Sequence, residues 1–366
     1  MRVLLVDDEL RVVEGLNRML YAIAPDWEVE TASSGAEALA RLAEVTCDVV
    51  ISDMMMPLMS GAELLEKVRE RHPSAARIIL SGQTDRHASM RVLNVAHQFL
   101  DKPCPPERLV DTVERLQALR RELEDPRVLA TVGRVGSLPS APTLYLELNR
   151  LLAMDNPPEE AVRRLLSQEP AMGAKVLQLA NSSFFGRGMT VASVDVAVKR
   201  LGLRLVRELV LAAEVFRPVP GVDLHFVDAL QMRALRAVRL VRSIMRNSKD
   251  VELAATAAIL ADVGQLLERM DSGPPASRSE DPRFHASLGA YLLSLWSLPP
   301  VLVEAVARHH GPWPEPPTLG VSSAVYLAHS MVAGEVVDQA FVDALGLKER
   351  LPECRHLLEE HQKETP

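Results

Sequence analysis

The chain has 366 residues, of which 48% are apolar, 25% charged and 4% aromatic. That is enough apolar material for two or three domain cores, and it excludes disorder as the global state. Few aromatics beside abundant Leu, Ala and Val favour helix-rich packing over an all-β sandwich. With 41 basic and 49 acidic residues the net charge is -8, a poor match to a nonspecific nucleic-acid or membrane-surface binder. Cys47, Cys104 and Cys354 form no Cys-x-x-Cys pair. Neither a disulfide framework nor a cysteine zinc site is expected, in keeping with a cytoplasmic protein. No apolar run approaches the about 18 residues of a membrane helix. The start, MRVLLVDDE, turns acidic too early for a secretory signal.

In chain order, Val3 to Val6 is a compact apolar run ending in Asp7-Asp8-Glu9, the mark of a buried strand. Val12, Val13, Leu16, Met19 and Leu20 then follow helical spacing. Val29 to Ala32 reads as a second strand, and Ser34 precedes a helix with Ala38, Leu39 and Leu42. Val49 to Asp53 is a third strand, followed by a helix over Leu64, Leu65 and Val68. Ile78 to Ser81 is a fourth, and Phe99-Leu100 a short fifth closed by Asp101-Lys102-Pro103. A last helix carries Leu109, Val110, Val113, Leu116 and Leu119. Strands and helices in alternation imply a doubly wound, five-stranded parallel sheet over residues 1–121. A charged and Pro/Gly-rich stretch over 122–140 reads as a linker. Residues 141–340 have helical period almost throughout, with Gly or Pro at the breaks, and 341–366 is expected as a tail. The fold class is therefore α/β followed by all-α.

Ligands of an open parallel sheet sit outside the carboxyl ends of its strands. Those ends carry Asp7-Asp8, Asp53, Ser81 and Lys102. Clustered carboxylates repel unless a cation joins them, and a hard ion such as Mg2+ takes oxygen ligands and keeps waters for phosphate. A lysine opposite can neutralise phosphoryl oxygens, and a hydroxyl can register their arrival. Together these residues suit phosphoryl transfer onto a carboxylate. Each alone is an ordinary turn, cap or surface residue; their joint occurrence at successive strand ends is the signal.

LLVDDE, VVISDMMMP, IILSG and FLDKP resemble, in order and spacing, the receiver domain of two-component response regulators. The resemblance implies a flavodoxin-like fold and phosphorylation of Asp53 by a sensor histidine kinase. It implies Mg2+ held by Asp8, Asp53 and the Met55 carbonyl, with Asp7 acting through water. Lys102 pairs with the phosphoryl group, Ser81 moves toward it, and Phe99 is the aromatic that turns inward on switching. No position needed for the switch is missing.

Beyond the linker, SLPSAPTLYLELNRLL, SQEPAMGAKVLQLANSSFFG, VDVAVKRLGLRLVRELVLAA, FHASLGAYLLSLWSLPP and VARHHGPW together resemble the HDOD family. That family is a branch of the metal-dependent HD phosphohydrolases. Against the catalytic relatives, the His-Asp dyad reads Ala261-Asp262, and no histidine lies between His225 and His285 to supply the upstream ligand. His285, His309 and His310 match histidine positions, while His329 stands where the closing aspartate is expected. Asp262, His285, His309 and His310, with His329 as a fifth, leave a single residual metal open as an alternative. The preferred reading is inherited core histidines satisfied by hydrogen bonds, with no cofactor in this domain.

The expectation is thus a non-enzymatic response regulator whose HDOD domain binds an unidentified downstream protein, a cyclic-dinucleotide signalling enzyme being one candidate. The alternative is a divergent HD phosphohydrolase acting on a nucleotide or cyclic dinucleotide. Neither nucleic acid nor membrane is an expected partner: the part beyond residue 119 has 28 basic and 30 acidic residues and no basic recognition helix. The series Leu109, Val113, Leu116, Leu119 and Leu123 reads as core, or as a relay or homodimer seam where it passes the receiver.

Overall fold

Strands β1 (Arg2–Val6), β2 (Glu28–Ala32), β3 (Val49–Asp53), β4 (Ala76–Ser81) and β5 (Gln98–Asp101) form one sheet in the order β2-β1-β3-β4-β5. All neighbours are parallel, with Val6 opposite Ala32, Leu5 opposite Ile51 and Asp53 opposite Leu80. The computed structural model describes residues 1–82, 95–122, 125–135, 157–181, 190–203, 222–270, 281–311 and 318–364, with the single positions 148, 151, 154 and 206.

The central strands are covered on both faces, which is why β1, β3 and β4 read as continuous apolar runs and not as alternating ones. Leu4, Ile51, Ile78 and Ile79 are all at most 1% exposed, each contributing about 1.5–3 kcal/mol by burial. Helices α1 (Leu10–Ile23), α2 (Gly35–Glu44) and α3 (Gly61–Arg71) start where the sequence offers a stop to the preceding turn. Ser34 caps α2 by accepting from the Glu37 N–H, and Ser60 with Glu63 forms a capping box on α3. The fourth helix of the expected alternation falls in 83–94, outside the described residues. Helix α4 (Pro106–Glu122) packs on α1 and buries Leu109, Val113 and Leu116, so these three are core. The side chain of Leu119 and all of Leu123 lie outside the described residues, so the seam beyond them does too.

Part of the expected linker is helical. Pro126, with its fixed φ, opens helix α5 (Pro126–Arg134) instead of ending one, and Asp125 caps it by accepting from the Arg127 N–H at 2.9 Å. Val128 and Val132 are buried, and α5 packs against α3. The approach is close enough that a Cβ on Gly133 would lie 1.6 Å from the Pro73 carbonyl oxygen. Residues 136–140 of that span lie outside the described residues.

The chain divides into two compact units, the first built on residues 1–136. The second is helical throughout its described residues: α6 (Glu159–Gln168), α7 (Pro170–Asn181), α8 (Val194–Leu201), α9 (Leu224–Ile244), α10 (Val251–Leu260), α11 (Val263–Met270), α12 (Pro282–Leu295), α13 (Pro300–Ala307), α14 (Val321–Ala333), α15 (Gln339–Ala344) and α16 (Leu351–Glu364). The expected helices at 144–152 and 206–216 lie outside the described residues, apart from the buried Leu148, Leu151 and Val206. Helix α10 is apolar around its circumference and is buried among α9, α13 and α14; its many alanines let those helices come close. A single helix is expected from Val251 to Leu267, but the chain turns at Ala261-Asp262 and restarts as α11. The expected tail 341–366 carries structure as well. Phe341, Val342, Leu345, Leu347 and Cys354 are buried, and α16 packs on α9.

Candidate functional sites

The β-order reverses between β1 and β3, and the crevice at that reversal is where Asp7 and Asp53 stand. Asp7 follows β1 and is 3% exposed, Asp53 ends β3 at 7%, and Lys102 follows β5. Lys102 Nζ donates to Asp7 Oδ2 at 2.6 Å and pairs with Asp53 Oδ1 as well. One ammonium therefore joins two carboxylates that would otherwise repel by about 4 kcal/mol at 4 Å in a medium of effective dielectric about 20. The Met55 N–H donates to Asp53 Oδ2 at 2.7 Å, and the Glu9 N–H to Asp7 Oδ1 at 2.9 Å. Asp8 is exposed beside them.

Burial raises the Asp53 pKa above its ordinary value, against the Lys102 hydrogen bond and charge, and the Asp7 carboxylate adds to the rise. Burial works against the Lys102 charge too, but Asp53 and Asp7 outweigh it and hold the lysine above its ordinary pKa. Ser81, the last residue of β4, is fully buried, with Oγ 3.4 Å from the Gly82 carbonyl; Phe99 on β5 is 2% exposed. The structure thus brings Asp7, Asp53, Lys102 and Ser81 to one edge of the sheet. Buried, hard carboxylate oxygens next to an exposed third carboxylate are the donor set that suits Mg2+.

In the second unit, all five residues singled out from the sequence converge. Asp262 sits in the α10–α11 turn, His285 on α12, His309 and His310 in the turn after α13, and His329 on α14. His285 Nε2 lies 3.2 Å from His309 Nε2 and 3.1 Å from His310 Nε2. Asp262 Oδ1 lies 3.1 Å from His329 Nε2, 3.4 Å from His285 Nε2 and 3.8 Å from His309 Nε2. The His309 Nδ1 is 2.6 Å from the Val306 carbonyl, which only accepts, so Nδ1 carries the proton and Nε2 presents a lone pair to the cluster. Burial pushes His309 well below its ordinary pKa and His310 down to about 4, so both rings are neutral at pH 7. Burial opposes the charge on Asp262, but hydrogen bonds from His285 and His329 hold it ionised.

Two neighbours were not singled out from the sequence. Gln265 Nε2 donates to Asp262 Oδ1 at 2.8 Å, and Arg233 on α9 donates to Gln265 Oε1 at 2.8 Å with Nη2 3.9 Å from Asp262 Oδ2. The spacing of three between Asp262 and Gln265 was a usable signal; nothing local marks Arg233, which only helix packing delivers. Gly264 makes the cluster sterically feasible, because a Cβ there would lie 1.8 Å from the His285 carbonyl oxygen.

Among the described residues no helix is long and apolar enough to cross a membrane. The hydrogenase transcriptional regulatory protein HoxA of Cupriavidus necator is 40% identical over 115 residues, covering 31% of this chain and 23% of that protein. The DNA-binding transcriptional regulator NtrC of Salmonella typhimurium is 31% identical over 151 residues, covering 40% of this chain and 32% of that protein. The chain thus spans a third or less of either relative's length. Among solved structures, the MmoQ response regulator of Methylococcus capsulatus str. Bath is 21% identical, with 60% of this chain and 91% of that one covered at a TM-score of 0.48. The signal receiver domain of an HD domain-containing protein from Pseudomonas fluorescens Pf-5 is 29% identical, with 33% and 95% covered at a TM-score of 0.30. The model of the response regulator receiver domain matches residues 3–114, that of the HDOD domain 138–270 and that of the HD domain 232–363. The chain therefore carries a response regulator receiver domain, followed by HDOD and HD domains in its C-terminal part.

Proposed function

We propose that this is a phosphorylation-controlled response regulator whose second domain is a non-catalytic, protein-binding output, working in the cytoplasm. The observation that carries the reading is the Lys102 ammonium held between the buried carboxylates of Asp7 and Asp53. In the transfer step an Asp53 carboxylate oxygen attacks phosphorus, and the nitrogen of the kinase phosphohistidine leaves. The new acyl phosphate places its charge beside Lys102, while Asp7 and Asp8 face the same crevice. Asp8, Asp53 and the Met55 carbonyl, with Asp7 through water, would hold Mg2+ there, and it would supply positive charge to the phosphoryl oxygens. Ser81 then moves toward the phosphoryl group, and Phe99 holds the inward position that this movement opens. The downstream partner is a protein, a cyclic-dinucleotide signalling enzyme being one candidate class, and a homodimer is a second way to read out the switch.

The test is incubation with Mg2+ and a small acyl phosphate, followed by intact mass. One phosphoryl adduct on the wild type and none on Asp53→Asn supports the reading; a full adduct on Asp53→Asn ends it.

A second reading, a divergent phosphohydrolase acting on a nucleotide, is favoured by one observation: Asp262 and four histidines meet in a single cluster. Against it stand Ala261 in the dyad position and the missing upstream histidine. Hydrolysis needs a metal that keeps a coordination position open for water.

A further inference from the structure

Helix α9 carries an excess of positive charge that the near-balance of charge beyond residue 119 conceals. Between Asp228 and Asp250 stand Arg233, Arg236, Arg239, Arg242, Arg246 and Lys249, with no acidic residue among them. Arg233 turns to Gln265 and Asp262. Arg236, Arg239, Arg242 and Arg246 follow one another at three or four residues, so they share one face over roughly 15 Å of axis. Arg239, Arg242, Arg246 and Lys249 are exposed and Arg236 is half-buried, while Met232 and Leu235 continue the face toward the helix start.

Neither helix stability nor solubility calls for this pattern. Like charges three or four residues apart repel on a helix, and a solvated face ordinarily mixes both signs. The helix dipole favours cations in the last turn only, and there Arg350 Nη1 already donates to the Ile244 carbonyl at 2.6 Å. Arg236 and Arg239 lie further back. Two carboxylates reach the face from neighbouring helices. Glu252 of α10 lies 3.1 Å from Arg242 Nη2, and Glu353 of α16 lies 3.7 Å from Arg246 Nη1. Both pairs are exposed, where such contacts are weak, and they leave the face with a positive balance. Arg236 Nε is buried and has no hydrogen-bond partner among the described residues, so the donors of this face are not used up within the chain.

We propose that this face of α9 docks an acidic helical segment of the downstream protein; the proposal rests on the reading of the second domain as a protein-binding output. Five of the six basic residues are Arg, the type enriched at protein interfaces where Lys is depleted. A planar guanidinium takes a carboxylate through two parallel N–H bonds. Carboxylates at steps of three and four along a partner helix match the spacing of Arg236, Arg239, Arg242 and Arg246. Glu252 and Glu353 favour protein over nucleic acid: they would face the phosphates of a duplex, whereas a protein helix can set a lysine against each. Met232, 39% exposed, adds apolar contact that a phosphate backbone does not use.

The test uses the full chain and three fluorescent probes read by anisotropy. One is a helical peptide with glutamates at steps of three and four along one face. The second has the same composition with its glutamates spread around the helix, and the third is a short DNA duplex. The patterned peptide should bind at least about 10-fold more tightly than either, with affinity falling as salt rises. Arg239→Glu combined with Arg242→Glu should weaken that binding by at least about 10-fold. The same variant should gain binding to a patterned peptide with lysine in place of glutamate, a rescue that misfolding cannot produce. Folding is checked by circular dichroism, and Arg239→Gln with Arg242→Gln serves if the reversed pair fails to fold. Equal binding of the two peptides, tighter binding of the duplex, no binding, or unchanged binding in the folded variant overturns the proposal. A pull-down from lysate of the source organism, with wild type and variant side by side, separates this proposal from the reading beneath it. A partner held equally by both ends the α9 proposal and keeps the protein-binding output; no partner with either ends both.

Discussion

Lys102 Nζ donates to Asp7 Oδ2 at 2.6 Å across 95 positions of sequence, and the same ammonium pairs with Asp53. The lysine is thus the counter-cation of the receiver crevice, and on the proposed reading Mg2+ would enter a site in which positive charge is already placed. Replacing it with methionine leaves two buried carboxylates facing each other. We expect Lys102→Met to bind Mg2+ at least as tightly as wild type, yet to accumulate phosphoryl adduct at least 10-fold more slowly. Mg2+ titration and timed intact mass check the two halves separately.

The pH behaviour of Asp53 has a definite sign. Burial raises its folded pKa above the ordinary value of 3.8, so the native state holds the proton to higher pH than the unfolded chain does. That favourable contribution is complete below pH 3.8 and is lost as pH rises through the raised folded pKa. Above the raised folded pKa, without Mg2+, the charge on the buried carboxylate is a net cost, so Asp53→Asn should melt at a higher temperature than wild type there. Adding Mg2+ should raise the wild-type midpoint and leave the variant unchanged. Equal midpoints in both conditions would sink this account.

Lys175 on α7 is buried, and burial lowers its pKa from 10.5 to about 7. Between those values the unfolded chain binds more protons, so this group makes stability rise with pH through that window. The slope is at most about 1.4 kcal/mol per pH unit. Chemical denaturation at pH 7, 8 and 9 should show the rise in wild type and a flatter profile in Lys175→Met.

Gly264→Ala should be among the most disruptive small substitutions in the second unit. The new Cβ would lie 1.8 Å from a backbone oxygen of α12, so the helices must part. We expect a loss of about 1–3 kcal/mol by denaturant titration, as for overpacked cores.

Hydrolysis is expected to be absent. Nucleotides and cyclic dinucleotides incubated with Mn2+, Fe2+, Co2+ or Zn2+ should show no turnover above the metal-only blank. Turnover that disappears in His309→Ala would establish the phosphohydrolase reading instead.

Phosphoryl loading should change the arrangement of the two domains or of two protomers, and the fold of neither. Scattering and sedimentation with and without beryllium fluoride read this directly, with Asp53→Asn as the unresponsive control. Identical profiles at several concentrations would defeat it.

The receiver was legible in the sequence almost residue by residue, and the reason is local. A doubly buried strand must be a continuous apolar run, its carboxyl end must turn, and in a parallel sheet every such end lies on one edge. Asp7, Asp53, Ser81 and Lys102 could therefore be placed together without knowing a single distance. Pro126 was ambiguous for an equally local reason, since proline both stops a helix and opens one; Val128 and Val132 finding a surface on the receiver settled it. In the second domain the sequence named Asp262, His285, His309, His310 and His329 but not their relation. Helices project side chains radially, and which of them meet depends on crossing geometry that spacing along one helix does not encode. Only the packed structure set His309 Nε2 as a lone pair through the Val306 carbonyl, turned His329 into a donor, and brought Arg233 from α9 to Asp262. Strand order follows from patterns a few residues long, whereas a cluster fed by four helices and two turns exists only once those helices are packed.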